Sequence, residues 1–539
     1  MKKALTLLTS LLLVIFIGNL SAQTSHDGRG IVPLKSPNSV TYGTDVIIHN
    51  NPAADQRNTC LSVAYNGWLY AAYTLTTGGF KVAKSVDNGA TWVLSDLIWS
   101  NYYFPKVDIV VTGTTVGTLT VWVGYICQNI ASPDEWYAGY EVLDGDVNDV
   151  TFGDLDYSST ESYYDVAIAS DYRYPAYGVS PFSLGILYSK FSSVTDSLLF
   201  FSSGDGGNTW NGRQIVVYTG FYLRNVSLSY GITYSRWDGR YFAAWEERDY
   251  QSSDRGYIFT SHSDPWYNSP FTTPVRLDNL VTNGADNSKN PAVTTMYNST
   301  ADNDSSGLTQ LVTFDRYWTP TGDLDVAGGV SLQATSTSYF TPVFIASTYD
   351  NELQSDANYD PGFNNFLMTY YDSTTQSLAY VVNNREINNT WVMINGAYND
   401  NTNLAAPHPK VEINPVFLQV AHVWTAEGTS GHGVAMFDAE YSTVGIPPSG
   451  QNAAALNLKV YPNPCSTKAE LSFTLEKDSQ VTITLVSVYG QAMGTVCDAR
   501  LTAGDHVLPV DVSNLPAGCY YYNFVSGSDK ASGQVVVTH

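Results

Sequence analysis

Seven short runs dense in apolar and aromatic residues punctuate the chain: LYAAYT from Leu69, LTVWVGY from Leu119, GILYSKF from Gly185, YFAAWEE from Tyr241, LVTFDRY from Leu311, FLMTYYD from Phe366 and VAHVWTA from Val420. Each is too short for a helix and rich in residues that fit a pleated surface, so each reads as a buried strand. Most follow a run that alternates apolar and polar positions, the period of a strand: CLSVAY from Cys60, KVDIVV from Lys106, YDVAIA from Tyr164, NVSLSY from Asn225, PAVTTM from Pro291 and PKVEIN from Pro409. After each pair there is room for two further strands. The sixth unit has the weakest first strand.

Repeated four-stranded units predict an all-β chain built by radial repetition, a β-propeller of seven blades with six as the rival count. The span from residue 40 to 445 exceeds the roughly 250 to 300 residues at which a single core stops growing, and a ring of sheets escapes that limit. The seventh unit runs out after its third strand, near GVAMFDAEYS, while TYGTDVIIHN at residues 41–50 alternates like a strand. That N-terminal segment is the candidate for the outer strand that closes the ring.

Two octapeptides, SVDNGATW at 85–92 and SGDGGNTW at 203–210, share the pattern Ser-x-Asp-x-Gly-x-Thr-Trp. Asp87 and Asp205 suit a tight turn as acceptors for backbone N–H groups, Gly89 and Gly207 permit backbone that a side chain resists, and Trp92 and Trp210 bring a large apolar surface to the next strand. With Ser85, Thr91, Ser203 and Thr209, these residues resemble the Asp-box (BNR) repeats of sialidase-like propellers. SHSDPWYN at 261–268 is similar, as a decayed third copy. The resemblance implies a turn between the third and fourth strands of a blade, on the face away from the channel mouth, with a structural role.

The chain has 539 residues, 26 Lys and Arg against 50 Asp and Glu, and a formal charge of −24, which argues against nucleic acid as a partner. Residues 1–22, MKKALTLLTSLLLVIFIGNLSA, have the layout of a secretory signal peptide, followed by a lead at 23–39. Nothing after them approaches the roughly 20 apolar residues of a membrane helix, so no transmembrane span is expected in the mature chain. Five cysteines in no recognisable spacing suggest at most one structural disulfide, and His408, His422 and His432 read as loop and strand residues.

In a propeller, first-strand starts and second-strand ends meet at the channel mouth. The starts carry Arg57, Lys106, Arg224, Lys289 and Lys410; the ends carry Glu246, Glu247, Arg248, Asp315, Arg316, Asp372 and Glu427. The seven cations are candidate ligand-binding residues for a glycan, including an acidic one. Glu246, Glu247, Asp315 and Asp372 are the carboxylates that a glycoside hydrolase or lyase would use. By resemblance to sialidases, Arg57, Arg224 and Arg316 would form an arginine triad, but the Phe-Arg-Ile-Pro stretch of that family is absent around Arg57. The blade architecture carries over; the catalytic set does not. DGDVND from Asp144, DNDSSG from Asp302 and DANYDPG from Asp356 are candidate calcium loops, but none has a bidentate Glu at the twelfth position, so calcium is the possible cofactor and no metal site is assigned.

Beyond a linker at 446–454, residues 455–539 read as a small β-sandwich. Tyr461, Pro462, Asn463 and Pro464, a VYG ending in Gly490, and LPAGCYYY with Gly518 and Tyr520 resemble, in that order, the C-terminal sorting domain of the type IX secretion system of Bacteroidota. The resemblance implies passage through the periplasm, recognition by the type IX machinery, and release or surface attachment. The cargo is then expected to be a secreted or surface-attached propeller that binds glycan at its mouth, with a glycosidase-like enzyme or a protein-binding adhesin as alternatives.

Overall fold

A computed structural model of the protein describes residues 45–537 with interruptions, the longest at 172–182, 298–307, 332–340 and 442–458. The signal peptide, the lead and the linker lie outside the described residues. Within them, seven four-stranded sheets follow one another along the chain. Their innermost strands are Gln56–Val63, Tyr102–Thr112, Ser162–Ser170, Phe221–Gly231, Ser288–Tyr297, Glu352–Asp360 and Lys410–Asn414. Each innermost strand touches the next and the last touches the first, so the sheets are blades 1 to 7 of a closed ring.

The seven apolar runs form the second strands. Leu69–Leu75 is buried at every position, because a second strand is covered on both faces by neighbouring blades and loses its alternation. Between blades 1 and 2, Tyr70 and Phe80 pack against Val107, Ile109, Val121 and Val123 in one apolar wedge, and fully burying each such side chain contributes about 1.5–3 kcal/mol. Cys60, Cys127, Cys465 and Cys497 are free thiols.

The N-terminal strand Val46–His49 is the outermost strand of the seventh sheet, paired antiparallel with Gly433–Tyr441. Around this seam the Nδ2 of Asn414 donates to the Gly67 carbonyl at 2.9 Å, the Thr59 and Thr425 hydroxyls meet at 3.1 Å, and Asp55 accepts from Gly433 N at 3.2 Å and faces His432 Nδ1 at 3.0 Å.

The sixth innermost strand corrects the sequence reading. Glu352–Asp360 contains most of the DANYDPG run, so Asp356 stands in a strand and not in a calcium loop. Its polar character has a physical reason: an innermost strand borders channel water and needs no apolar edge. Asp144 accepts from Asp146 N, Asn148 N and Asn148 Nδ2, the bonding of a self-contained turn, and DNDSSG lies outside the described residues.

Both octapeptides are turns between third and fourth strands. Asp205 accepts from Thr209 N at 2.8 Å and Thr209 Oγ1 at 2.6 Å, and Ser203 Oγ accepts from Gly207 N at 2.8 Å. Asp87, Thr91, Ser85 and Gly89 repeat these bonds. Trp92 and Trp210 fold back to donate to the Gly89 and Gly207 carbonyls, and each ring packs on the preceding blade, against Phe437 at 5.3 Å and Tyr140 at 4.9 Å. Gly89 and Gly207 have φ of +88° and +87°, and a Cβ there would meet the Phe437 ring at 1.8 Å or the Trp122 ring at 2.2 Å. The turns therefore cement blade to blade. Of the third copy only Ser261 to Ser263 lie among the described residues.

The C-terminal unit has two sheets, one of three strands and one of four. They enclose a core that includes Leu471, Phe473, Ile483, Phe524 and the motif residue Tyr520. Tyr461 is exposed on the strand Lys459–Tyr461, Gly518 opens the strand Gly518–Ser526, and Pro462 to Pro464 and Gly490 lie outside the described residues.

Gly89→Ala and Gly207→Ala are each expected to lower the thermal midpoint, because overpacking costs about 1–3 kcal/mol and the backbone is left-handed there. Circular dichroism melting reads this directly; unchanged melting would show that the blades are not held together at these turns.

Candidate functional site

The innermost strands line a central channel holding a cavity of about 400 Å³, to which every blade contributes. Six of these strands bulge near the mouth, where pairing with the second strand shifts register. Asn58, Asn225, Asn290 and Gln354 sit at these ends with φ between +49° and +56°, and His408, two residues before the unbulged seventh strand, has φ of +43°. Three of the five are Asn, the residue whose short polar side chain best tolerates the left-handed region.

Backbone N–H groups of the innermost strands meet side chains of the neighbouring blade, which accept them. Asp108 accepts from Ile168 N, Asp165 from Val226 N, Ser227 from Val293 N and Asp356 from Val411 N, all at 3.0 Å. Ser62 accepts from Val111 N at 3.2 Å. Nearer the mouth, Asn290 bridges two predicted catalytic carboxylates: its N donates to Glu246 at 3.2 Å and its Nδ2 to Asp315 at 2.6 Å. Asp315 also accepts from Gln354 N at 2.8 Å.

The four predicted carboxylates therefore do not share an open site. Glu246 is fully buried and also bonded to Asn225 Nδ2 and Arg248 Nε. Asp315 is buried, and burial pushes its pKa up to about 7 against the pull of Asn290 and Gln354. Glu247 points to the other face of its strand, where Trp245 Nε1 donates to it at 3.0 Å and burial pushes it up to about 7. Asp372 accepts from Thr374 N, Thr375 N and Thr375 Oγ1 in the turn after its strand.

The predicted basic residues are largely matched by carboxylates. Lys106 pairs with Asp165 at 2.5 Å, Lys410 with Asp356 at 3.0 Å, Arg224 with Asp196 at 3.0 Å, Arg57 with Asp55 at 3.0 Å, and Arg248 with Glu246. Arg316 is buried, and Lys289 stands opposite Asp315 in register. Among the described residues lining the channel, Lys106 and Lys410 thus face Asp108, Asp165 and Asp356. Burial raises the Asp108 carboxyl against the pull of Lys410 and Lys106. It would lower Lys410, but Asp356 and Asp108 outweigh it and raise that ammonium. His408 is exposed at the channel, and burial by the protein around it, then Lys106 and Lys410, lower it to about 4.

Sequence reasoning missed the aromatic residues at the mouth. Arg224 lies 3.4 Å from the Tyr164 ring centroid and 4.8 Å from that of Tyr222, and Phe191 stands 5.9 Å and 5.7 Å from the same two rings. Buried Asp196 fixes the guanidinium and also accepts from Leu223 N at 2.7 Å. All three rings are half-buried. Tyr164 and Tyr222 each lie two residues inside a first strand or closer to its start, the position already used to list the cations, so the signal was present but was read for charge alone.

Residues 459–538 match the family described as the secretion system C-terminal sorting domain. The C-terminal unit is thus a type IX export signal, which places the protein at the cell surface or outside the cell. No helix among the described residues is long and apolar enough to cross a membrane, and no group of three His, Cys, Asp or Glu among them is arranged to hold a metal ion. No curated protein sequence matches the chain. Among solved structures, an α-L-arabinanase of Penicillium chrysogenum is 11% identical with a TM-score of 0.40, covering 74% of this chain and 98% of its own. The lectin of Aleuria aurantia is 11% identical at 0.36, covering 65% and 98%, and the NanB sialidase of Streptococcus pneumoniae is 12% identical at 0.37, covering 77% and 72%. At these scores the likenesses carry no argument about what the ring binds.

His408 gives a pH signature. The folded imidazole takes a proton only near pH 4 and the unfolded one near 6.5, so the unfolded chain binds the extra proton and stability falls as pH drops through that window. His408→Asn, which keeps the left-handed backbone, is expected to flatten the decline of the melting temperature between pH 6.5 and 4.5. An unaltered slope would assign the decline to other groups.

Proposed function

We propose that the exported ring binds glycan at its channel mouth. The observation that carries this reading is the half-buried trio of Tyr164, Phe191 and Tyr222 clamped around Arg224 at the entrance to a polar channel. Aromatic faces stack on the C–H faces of sugar rings, and a few fixed polar groups set orientation. The charge balance of the channel favours an uncharged sugar over an acidic one, since both channel lysines are matched by carboxylates. This narrows the reading made from the basic strand starts alone.

Tyr164→Ala combined with Tyr222→Ala is expected to weaken retention on a glycan panel about tenfold or more, from two lost stacking contacts, with melting little changed. Retention equal to that of the unaltered chain would remove the mouth as the binding site.

Hydrolysis is a second reading, favoured by one observation: the channel holds Asp165 and Asp356 in ion pairs beside Asp108, whose carboxyl is raised. Carboxylates in divergent environments are the equipment of acid and base catalysis. If the ring is a glycosidase, Asp108→Asn is expected to abolish the release of new reducing ends, and full activity in that variant would exclude this assignment.

A further inference from the structure

Blade 2 carries a line of aromatic residues that starts at the edge of the blade 1–2 core, on which Trp99, Tyr102 and Tyr137 pack, and runs out to exposed Phe152 and Tyr157. Along its flank facing blade 1, Tyr102 packs on Tyr137 at 5.7 Å, Tyr137 on Tyr157 at 5.0 Å, and Trp99 meets Tyr102 at 5.2 Å and Phe152 at 4.5 Å. Cross-strand aromatic pairs stabilise sheets, but an interior purpose would bury them. Phe152 is 52% and Tyr157 50% exposed, and Trp99, Tyr102 and Tyr137 are only half-buried.

Two further observations set this flank apart. Trp99 has φ of +54°, a conformation costly for a bulky residue and one that persists where the surroundings enforce it. Beneath it, opposite Phe152 in register, lies Glu141, fully buried, with the Trp99 and Asp149 side chains as its polar neighbours. Burial, and Asp149 beside it, push this carboxyl up to about 9, so the floor of the patch is uncharged at neutral pH. The rim offers acceptors: Glu135, which takes a hydrogen bond from Asn129 Nδ2 at 2.9 Å, and exposed Asp154, which takes one from Tyr125 Oη at 2.9 Å.

We propose that this flank is a second carbohydrate-stacking surface, separate from the mouth, that takes a neutral polysaccharide chain. The open ring faces supply the platform for sugar C–H groups, and the rim carboxylates accept hydrogen bonds from sugar hydroxyls. The same carboxylates repel uronate or sulfate groups, which sets the ligand class. The inference stands apart from the mouth reading, because the two surfaces use different residues.

The test is native affinity electrophoresis of the full chain in gels containing galactomannan, xyloglucan or mixed-linkage β-glucan, with polygalacturonate and chondroitin sulfate as charged controls. At least one neutral polymer is expected to retard the unaltered chain, and Tyr137→Ala with Tyr157→Ala to weaken that retardation about tenfold. Tyr164→Ala with Tyr222→Ala should leave the flank's share of retardation in place. Tyr157→Ser alone, at a half-exposed position, serves if the double variant melts early. Equal retardation of the unaltered chain and both flank variants overturns the proposal, as does retardation by charged polymers alone or by no neutral polymer. Loss of all retardation in the Tyr164 and Tyr222 variant alone would overturn the flank and leave the mouth reading standing.

Discussion

The ring depends on one recurring contact, a side chain of one channel strand accepting a backbone N–H from the channel strand of the next blade. A channel strand is an edge strand, with a row of polar backbone groups that no fifth strand covers. Five junctions satisfy part of that row in the same way, through Ser62, Asp108, Asp165, Ser227 and Asp356. Between blades 5 and 6, Asp315 from a second strand does the same for Gln354. At the seam from blade 7 to blade 1, hydroxyls and an asparagine amide replace the carboxylates. The apolar wedges supply adhesion between sheets; these contacts supply the angle and register of each blade relative to the axis.

That duty limits what the polar residues of the channel are able to do chemically. Glu246 and Asp315 stand near one another because Asn290 holds both, and the same bonds occupy the oxygens that a reacting sugar would need. The lysines are matched in turn, so little net positive field remains at the axis. The groups at the mouth that the architecture does not consume in this way are the aromatic faces around Arg224.

Much of the ring was legible in the chain. The seven apolar second strands were plain because burial on both faces removes polar residues from them, and the octapeptide turns were plain because Gly89 and Gly207 meet aromatic rings that no side chain accommodates. The sixth channel strand was hidden because water on its inner side lets ELQSDANYD read as an acidic loop. The site was less legible. Listing strand ends placed Lys106, Lys410 and Arg224 at the axis side of their blades, but charge in a sequence does not disclose its partner, and Asp165, Asp196 and Asp356 come from other strands or other blades. Aromatic clusters are harder still in a chain with 39 Tyr, where only the fold separates a ring that fills a core from one that faces outward.

The seam between the two ends of the ring also sets an order of assembly. Val46 pairs with Phe437, so the segment that emerges first from any export channel is the last to find its partner. Contacts between residues so far apart in sequence form slowly. Until Gly433–Tyr441 is available, the seventh sheet lacks both its third strand and the outer strand that docks on it, and the first blade has no neighbour on that side. The sorting domain begins soon afterwards, at residue 459. A chain whose address tag has been made is therefore one whose ring already has every piece it needs to close, and a chain cut short before Gly433–Tyr441 carries neither.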